Sequence, residues 1–523
     1  MLNFKRNGSG HTAHRDINES LRKRNAKLGV LALAYGTFLS TITGSSIRVA
    51  FPAIAQGLGA SWAGIQWVSM IFLLTLTALL TSAGKLGDLY GLKKIYVLGL
   101  LMFVAGSALC GASFGIGSLI VFRIVQACGS AMTASTSPAL AAVVAMPGER
   151  GRAMGWIGTA VAVGLSAGPP LGGILLSIGS WRWIFLISFP LGIFAVAGAL
   201  AFLPGRSGSR DRSGFDLTGS VLMGLALAAI LLGSSYGRTW GWGSWKVSLL
   251  LIGGGILLVA FIFQEKRAES PVMPFMLFKN RVFSSAVWSA ALLYCATIGI
   301  SFLVVFYLTY GLGLGGLELG LVMAVQPLGS AVSAPFSGRA SDKIGSRPLV
   351  VAGTMMVTLA MISMWITCDI KSIWSIAVPL AFIGLGFGAF GSPNSSAILG
   401  AAPRELLGVA GGVLATARTL GMAVGVAIAG VVFGNSFASA TGGLEIGNYK
   451  ARMFAALVHG FRNALVVAVI ISIGAVVLAL LRGRDNVRGR GRDGGKESVQ
   501  GDLSAKMIPD DEDSICEPPE PCG

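Results

Sequence analysis

The chain has 523 residues, of which 54% are hydrophobic and only 12% are Asp, Glu, Lys or Arg. Soluble domains carry roughly 25% charged residues, so this composition excludes a soluble globular protein. The formal charge is +17, but the basic residues lie in short loops and tails and not on one water-soluble face, so nucleic-acid binding is not indicated. The composition predicts an all-α polytopic membrane protein.

Long apolar runs recur along the chain, and each can cross a hydrocarbon core of ~30 Å at ~1.5 Å per residue. Six predicted spans form a first half: 28–50, 66–85, 95–114, 117–138, 153–178 and 182–203. Two further spans follow a polar linker: 215–235 and 247–264. Six more form a second half: 283–310, 318–338, 349–368, 373–399, 406–434 and 460–481. We therefore predict fourteen transmembrane helices, as two pseudo-symmetric six-helix bundles plus an inserted helix pair.

The spans divide the chain into five predicted segments. These are a basic N-tail (1–27), an N-terminal six-helix bundle (28–203), a linker with two additional helices (204–282), a C-terminal six-helix bundle (283–481) and a C-tail (482–523). The C-tail has few bulky apolar residues and changes from basic to acidic, which predicts disorder. The N-tail has no apolar core or cleavage site, so a cleaved signal peptide is not expected.

The distribution of basic residues predicts the orientation. An even number of spans places both termini on one side, and Lys and Arg in short loops mark the cytoplasmic side. Segments on the side of the N-terminus hold most of the 40 basic residues. The opposite loops hold six: Arg182, Arg238, Lys246, Lys371, Lys450 and Arg452. We predict a multi-pass plasma-membrane protein with both termini in the cytoplasm.

Two loop segments share one pattern. GKLGDLYGLKK begins at Gly84 and GRASDKIGSRP begins at Gly338, an offset of 254 residues (338 minus 84). Glycines permit a tight turn, aspartate can accept from a helix N-terminus or pair with a base, and the basic residues can face anionic headgroups. We predict a breakable latch between helices, with a merely tight and basic loop as the alternative. The candidate gating residues are Gly84, Asp88, Gly91, Lys93, Lys94, Gly338, Asp342, Gly345 and Arg347.

Four arginines lie inside predicted spans. Arg123 stands three residues before Gln126 on one helix face, and a cation at that depth is costly unless it faces protein or water. Arg418 lies roughly 18 Å into its span. It is the preferred ligand or counter-ion candidate, and a structural arginine bonded to carbonyls is an equal alternative. Arg48 and Arg462 lie near span ends, where snorkelling to the surface is favoured.

The fifth predicted span carries GLSAGPPLGG. Its glycines at intervals of four let a neighbouring helix pack at backbone contact, and its two prolines bend the helix. The pattern fits a static bend and a hinge equally well. The residues of this helix-bend motif are Gly164, Gly168, Pro169, Pro170, Gly172 and Gly173. In the twelfth span, Asn394 is predicted either to donate to a substrate or to satisfy a carbonyl freed by the adjacent proline.

Several chemical groups are missing from the sequence. No Asp or Glu lies at the middle of a predicted span, although proton-coupled carriers commonly hold a desolvated carboxylate there. Proton coupling therefore stays open. The sequence has no GxxxxGK[ST] phosphate loop, no Ser/His/Asp constellation and no Cys/His cluster, so we predict no enzyme, no cofactor and no metal site.

The motifs GKLGDLYGLKK, RIVQACG and GLSAGPPLGG together resemble the major facilitator superfamily, and more narrowly its fourteen-span drug/proton antiporter family. The resemblance covers about residues 27–482. It implies two bundles that rock about a central cavity. It also implies that Asp88, Lys93 and Lys94 stabilise one access state and that Arg123 assists coupling.

One departure from that family concerns the first span. Where the family usually has Asp followed five positions later by Asn, this chain has Thr43 and Arg48. The exchange removes an acid and adds a base, which favours an anionic or neutral amphipathic substrate over a cation.

We therefore predict a secondary-active exporter of small amphipathic or drug-like compounds, driven by an ion gradient, with protons as the ion that the resemblance implies. The alternatives are a carrier for a specific anionic metabolite without proton coupling and a transport-inactive membrane sensor. The predicted partners are a small-molecule substrate and the lipid bilayer, and the sequence does not indicate an oligomeric state.

Overall fold

The computed structural model describes residues 9–146, 150–205, 217–241, 243–267, 275–403, 406–444 and 453–482. Within these ranges the elements are helical, and no strand is present. The predicted C-tail lies outside the described residues beyond Arg482, as do 206–216 and 268–274 of the predicted linker. The side chains of Asp88 and Asp342 also lie outside them.

The helices follow in chain order. The first half contains α1 (Ser9–Gly57), α2 (Trp62–Tyr90), α3 (Leu92–Gly111), α4 (Ile116–Val144), α5 (Arg150–Ile178), α6 (Arg182–Leu186) and α7 (Ser188–Phe202). The inserted pair is α8 (Leu217–Trp240) and α9 (Trp245–Arg267). The second half contains α10 (Arg281–Phe306), α11 (Gly316–Ile344), α12 (Ser346–Thr367), α13 (Trp374–Ala401), α14 (Leu407–Thr441) and α15 (Phe454–Leu481).

In the described part of the chain, thirteen segments are long and apolar enough to cross a membrane, and α8 adds a shorter apolar run, Val221–Ser234. Helices α6 and α7 together make one crossing, Arg182–Phe202. The break at Ile187 has a local cause, because Pro190 has no amide hydrogen to donate to Leu186. The prediction of fourteen helices is therefore confirmed.

Several helices are longer than the predicted spans, α1 most of all. Helix α1 begins at Ser9 and continues through Pro52 to Gly57, whereas the predicted span is 28–50. Helix α10 continues into one π-helical turn, Tyr307–Gly311. Hydropathy detects only the apolar part of a helix, while the backbone hydrogen bonds continue into the polar flanks, so the boundaries differ.

The two halves use the same helix pairings. In the first bundle α1 packs on α5, α3 on α4, and α2 on α4. In the second bundle α10 packs on α14, α12 on α13, and α11 on α13. Each pairing in one bundle has its counterpart at the same place in the other. The structure thus confirms the predicted pseudo-symmetry of the bundles. The boundaries of the five predicted segments stay predictions.

The inserted pair lies beside one seam between the bundles. Helices α8 and α9 pack on each other, and α8 also contacts α2 and α14. Gly224 permits the close approach of α8 to α2, because a Cβ added there would lie 2.9 Å from Cβ of Ala78. The pair is therefore an addition to the side of the molecule where α2 meets α14.

A single glycine joins the second helix of each bundle to the third. Gly91, between α2 and α3, has φ 103°, and Gly345, between α11 and α12, has φ 86°. Residues with a Cβ rarely adopt these conformations. The two glycines are 254 residues apart (345 minus 91), which is the offset of the loop repeat. We call this end of the molecule the Gly91 end, and the opposite end, where α2 begins, the Trp62 end.

The substitution Gly345→Ala is expected to lower the free energy of unfolding by about 1–3 kcal/mol, the cost of holding a residue with a Cβ at this φ. Thermal unfolding of the purified protein in detergent measures the change. Gly391→Ala is the matched control, because that glycine is helical and no atom lies within 4 Å of an added Cβ. Equal melting temperatures for the two variants would contradict the strained turn.

Candidate functional site

An aromatic cluster joins the two bundles at the Trp62 end. Trp62, at the start of α2, donates from Nε1 to the carbonyl of Gly430 in α14 at 2.8 Å. Three rings of the second bundle surround it at centroid distances of 4.9 to 5.7 Å: Phe302, Phe306 and Phe433. The contact buries apolar surface from both bundles and has no ion pair in it. It can therefore separate without leaving a buried charge unpaired.

The seam between α5 and α11 is built from backbone contacts. Gly173 lies against Gly316, and a Cβ added to Gly173 would lie 2.8 Å from the carbonyl carbon of Gly316. Gly320 faces Pro169 and Pro170, and its added Cβ would lie 2.9 Å from Cα of Pro170. Helix α5 is continuous through both prolines. This face of the helix-bend motif therefore belongs to the junction between the bundles.

The opposite face of the motif packs inside its own bundle. Ser45 of α1 donates to the carbonyl of Gly164 at 2.9 Å, and Ser46 donates to that of Gly168 at 2.7 Å. A Cβ added to Gly172 would lie 2.6 Å from the carbonyl oxygen of Ser46. The motif thus packs against two neighbouring helices. Its glycines at intervals of four contact α1, and its prolines contact α11.

Arg123 is 4% exposed and lies in a hydrogen-bond network inside the first bundle. Its Nε donates to the carbonyl of Val68 at 3.2 Å, and its Nη1 donates to Oε1 of Gln126 at 2.6 Å. The guanidinium carbon lies 4.2 Å from the ring centroid of Phe72. Gln126 in turn donates to Oγ of Ser107 at 2.6 Å. The side chain points into the protein and ties α4 to α2 and α3.

Thr43 and Arg48 occupy different faces of α1. Thr43 is buried, and its hydroxyl is hydrogen-bonded to Leu39 and to Ser188 of α7, both at 2.8 Å. Arg48 is half-buried, and its side chain makes no hydrogen bond or ion pair within the described residues. It shares a face with Gly44, where no atom lies within 4 Å of an added Cβ. The space beside Gly44 is therefore open next to a half-buried cation.

Arg418 of α14 lies in a cluster with α10 and α13. Its Nη2 donates to Oγ of Ser395 at 2.7 Å, and its guanidinium carbon lies 5.5 Å from the ring centroid of Tyr294. The Tyr294 ring in turn meets the edge of Phe387 at a centroid distance of 4.7 Å. Nε of Arg418 is buried and has no hydrogen-bond partner in the described part of the chain. The cluster combines a cation with two aromatic faces inside the membrane.

Asn394 is fully buried beside this cluster. Its Nδ2 donates to the carbonyl of Ala286 in α10 at 3.0 Å, a carbonyl of a neighbouring helix and not one freed by Pro393. Its Oδ1 is buried without a hydrogen-bond partner among the residues described. A buried acceptor of this kind carries a desolvation cost unless a donor reaches it.

Arg462 lies outside the cluster. It pairs with Asp369, and its guanidinium carbon lies 5.5 Å from the ring centroid of Trp365. The side chains of Arg462 and Asp369 are 36% and 55% exposed. This arginine therefore lies at the Trp62 end of the second bundle and not in its interior.

Two basic residues of the loop repeat cap helices within their own bundles. Lys93 donates to the carbonyl of Leu200 near the end of α7 at 2.8 Å, and Arg347 donates to that of Leu480 near the end of α15 at 2.6 Å. Carbonyls in the last turn of a helix have no intrahelical partner, and a cation there is stabilised by the helix dipole. The two positions are again 254 residues apart (347 minus 93). Lys94 is exposed.

The other residues of the loop repeat lie between neighbouring helices. Gly84 is near Ser135 of α4, and Gly338 is near Ser392 of α13. The side chains of Asp88 and Asp342 lie outside the described residues, so the predicted latch stays a prediction.

Some contacts of this site were not predicted from the sequence. Thr77 of α2 donates to Thr419 of α14 at 2.7 Å, and the two residues are 342 positions apart. The aromatic partners of Trp62 are equally distant in sequence. An available signal was the position of Tyr294 inside an apolar span, but its arginine partner is on another helix.

Comparison with known proteins places the chain among transporters. The profile of the Major Facilitator Superfamily matches residues 33–426. The riboflavin transporter RibZ of Clostridioides difficile (strain 630) is 33% identical over 75% of this chain and 84% of its own length. The tetracenomycin C resistance and export protein of Streptomyces glaucescens is 32% identical over 74% of this chain and 72% of its own length. The multidrug transporter protein MdtP of Bacillus subtilis (strain 168) is 29% identical over 73% and 70%.

A solved structure has the same fold. It is a bacterial homologue of the human lysosomal transporter Spinster, in an inward-facing and unoccupied conformation. The TM-score is 0.64 at 16% sequence identity, and the match covers 88% of this chain and 97% of that chain.

Proposed function

Because the chain belongs to the Major Facilitator Superfamily, we propose that it is a secondary-active transporter that exports small amphipathic or drug-like compounds by rocking alternating access, driven by an ion gradient. The relatives named as a tetracenomycin C export protein and a multidrug transporter support export. In this proposal the protein lies in the plasma membrane with both termini in the cytoplasm, and the Gly91 end faces the cytoplasm.

The observation that carries the proposal is the way the two bundles meet. They join mainly along two helix pairs, α5 with α11 and α2 with α14. At the Trp62 end these junctions consist of backbone contacts at Gly173 and Gly320 and of the rings around Trp62. Such contacts can open while the hydrogen bonds within each bundle stay intact. Opening at one end and closing at the other is the motion that alternating access requires.

A carrier for a specific anionic metabolite without proton coupling is the second candidate. It is favoured by the absence of Asp and Glu from the middle of every span and by the half-buried Arg48 and Arg418. A proton-coupled mechanism in this chain needs a titratable group elsewhere, and Asp88 at the Gly91 end of α2 is the acidic candidate. A transport-inactive sensor that keeps the fold is the third candidate.

Flux in proteoliposomes tests the three candidates. Purified protein is reconstituted, a pH gradient is imposed, and the accumulation of anionic, neutral and cationic amphipathic dyes is followed with and without a protonophore. We expect accumulation that collapses with the gradient and is lost in Asp88→Ala. Flux that does not depend on the pH gradient would support the uncoupled carrier and contradict the proton-driven exporter. Absence of flux for all dyes would contradict both transport candidates and support the transport-inactive sensor.

A further inference from the structure

We propose that Arg418, Tyr294 and Phe387 form the binding position for an aromatic organic anion, with the guanidinium holding an acidic group and the two rings holding the adjoining aromatic system. This inference rests on the proposed transport function and names the substrate class of the same interior. The ligand class is an aromatic ring bearing a carboxylate.

The Arg418 guanidinium has donors that the described part of the protein does not use. An arginine carries five N–H donors and cannot lose its charge in a protein. The structure records one donated hydrogen bond, to Ser395, while Nε is buried without a partner within the described ranges. The side chain is only half-buried, so part of the guanidinium is open to an approaching group. No carboxylate is recorded against it in the described part of the chain.

The charge of Arg418 is costly at its depth in the membrane. A charge within the hydrocarbon region is expensive unless it is paired or faces water. Because no span carries a mid-membrane acid, the protein itself offers Arg418 no counter-charge at that depth. An anionic ligand supplies it, and a carboxylate can accept two parallel hydrogen bonds from the planar donors of a guanidinium.

Two aromatic rings lie beside the guanidinium or next to its neighbour. Tyr294 lies under the guanidinium, and Phe387 meets Tyr294 edge to face. Both rings are half-buried. Tyr294 lies on α10, of whose apolar window 83% is buried inside the protein. A ring attached to the bound acidic group would find aromatic surface within reach, where offset or edge-to-face contacts are favourable.

One neighbouring feature fits the same ligand class. The fully buried Asn394, next to Ser395 in α13, has an unpartnered Oδ1 among the described residues, which suits a hydroxyl or amide N–H on the ligand.

Three probes with the same ring test the inference. They are 2-naphthoate, 2-naphthylmethanol and 2-naphthylmethylammonium, and calorimetry measures their affinities for the full-length protein in phosphatidylcholine nanodiscs. We expect the anion to bind about tenfold or more tightly than the cation, since one acquires and the other lacks a charge-assisted bond to the guanidinium. This comparison uses the unmodified protein and so does not depend on the folding of any variant. Tighter binding of the cation, or no binding of any probe, would overturn the assignment.

Substitutions in the cluster test whether the preference for the anionic probe depends on Arg418. Arg418→Gln is expected to weaken naphthoate binding about tenfold or more while leaving the neutral probe little changed. Tyr294→Leu is expected to weaken the binding of all three probes. Arg267→Gln, an exposed arginine at the end of α9, is the control and should change nothing. An anion preference that survives in Arg418→Gln would move the site elsewhere and refute the proposal.

A lipid headgroup offers the same negative charge, so one arm replaces part of the phosphatidylcholine with phosphatidylglycerol. Unchanged naphthoate affinity supports a soluble aromatic anion, whereas competitive loss of affinity would assign Arg418 to a lipid and overturn the proposal. The dye flux described above remains a separate readout. Flux without an anion preference defeats only this inference, and absence of flux for every dye defeats the transport proposal itself.

Discussion

Replacing Gly172 with valine is expected to disrupt the first bundle, lowering the free energy of unfolding by about 3 kcal/mol, near the upper end for overpacking a core. The reason is that a Cβ at this position would lie 2.6 Å from the carbonyl oxygen of Ser46 and 3.2 Å from its Cα. Both are backbone atoms of α1, so no side chain can rotate away. Thermal unfolding in detergent and the yield of monodisperse protein measure the loss.

Gly158→Val is the matched control for this effect. It lies in the same helix, and no atom lies within 4 Å of its added Cβ. Both substitutions change helix propensity equally, so only the contact with α1 differs. A melting temperature for Gly172→Val equal to that of Gly158→Val would show that α1 and α5 are not packed as described.

Replacing the next residue, Gly173, with valine is expected to stop transport while each bundle stays folded. This glycine faces the other bundle, and its added Cβ would lie 2.8 Å from the carbonyl carbon of Gly316 and 3.0 Å from Cα of Leu317. If the clash costs about 3 kcal/mol, the population of the state closed at the Trp62 end falls roughly a hundredfold. The protein then stays in the state that is open at the Trp62 end and no longer alternates between two states.

Spin labels on opposite bundles measure this shift. Phe114 and Trp374 are 87% and 73% exposed at the Trp62 end, and each is changed to cysteine in a variant that lacks the native cysteines. Electron–electron double resonance should show a longer distance in Gly173→Val than in the parent or in Gly158→Val. Lost flux with an unchanged distance distribution and a lowered melting temperature would show that Gly173, like Gly172, supports only folding.

Adjacent residues of one motif thus have different expected roles. The spacing of Gly164, Gly168 and Gly172 predicted close packing of a neighbouring helix, and the neighbour proves to be α1. The position of Gly173 carried no separate signal in the sequence. Its contact with Gly316 depends on how the bundles meet, which no local pattern of residues encodes.

The basic residues of the loop repeat show a similar division. Their periodic recurrence predicted that the two bundles are equivalent, and the structure places Gly91 and Gly345 in equivalent strained turns. The acceptors of Lys93 and Arg347 are carbonyls at the ends of α7 and α15. Those acceptors are backbone atoms, which carry no residue-specific signal in a sequence.

The sequence alone determined the number of crossings and the two-fold repeat of this protein, because the length of apolar runs and the recurrence of turn glycines are local and one-dimensional properties. It also indicated that Arg418 needs a partner, since the cost of a buried cation follows from its depth. Only the tertiary structure decided what surrounds that cation. Ser395 and Tyr294 reach it from two other helices, and Phe387 packs on Tyr294. Proximity across helices arises from packing in three dimensions, which residue spacing along a single chain does not record.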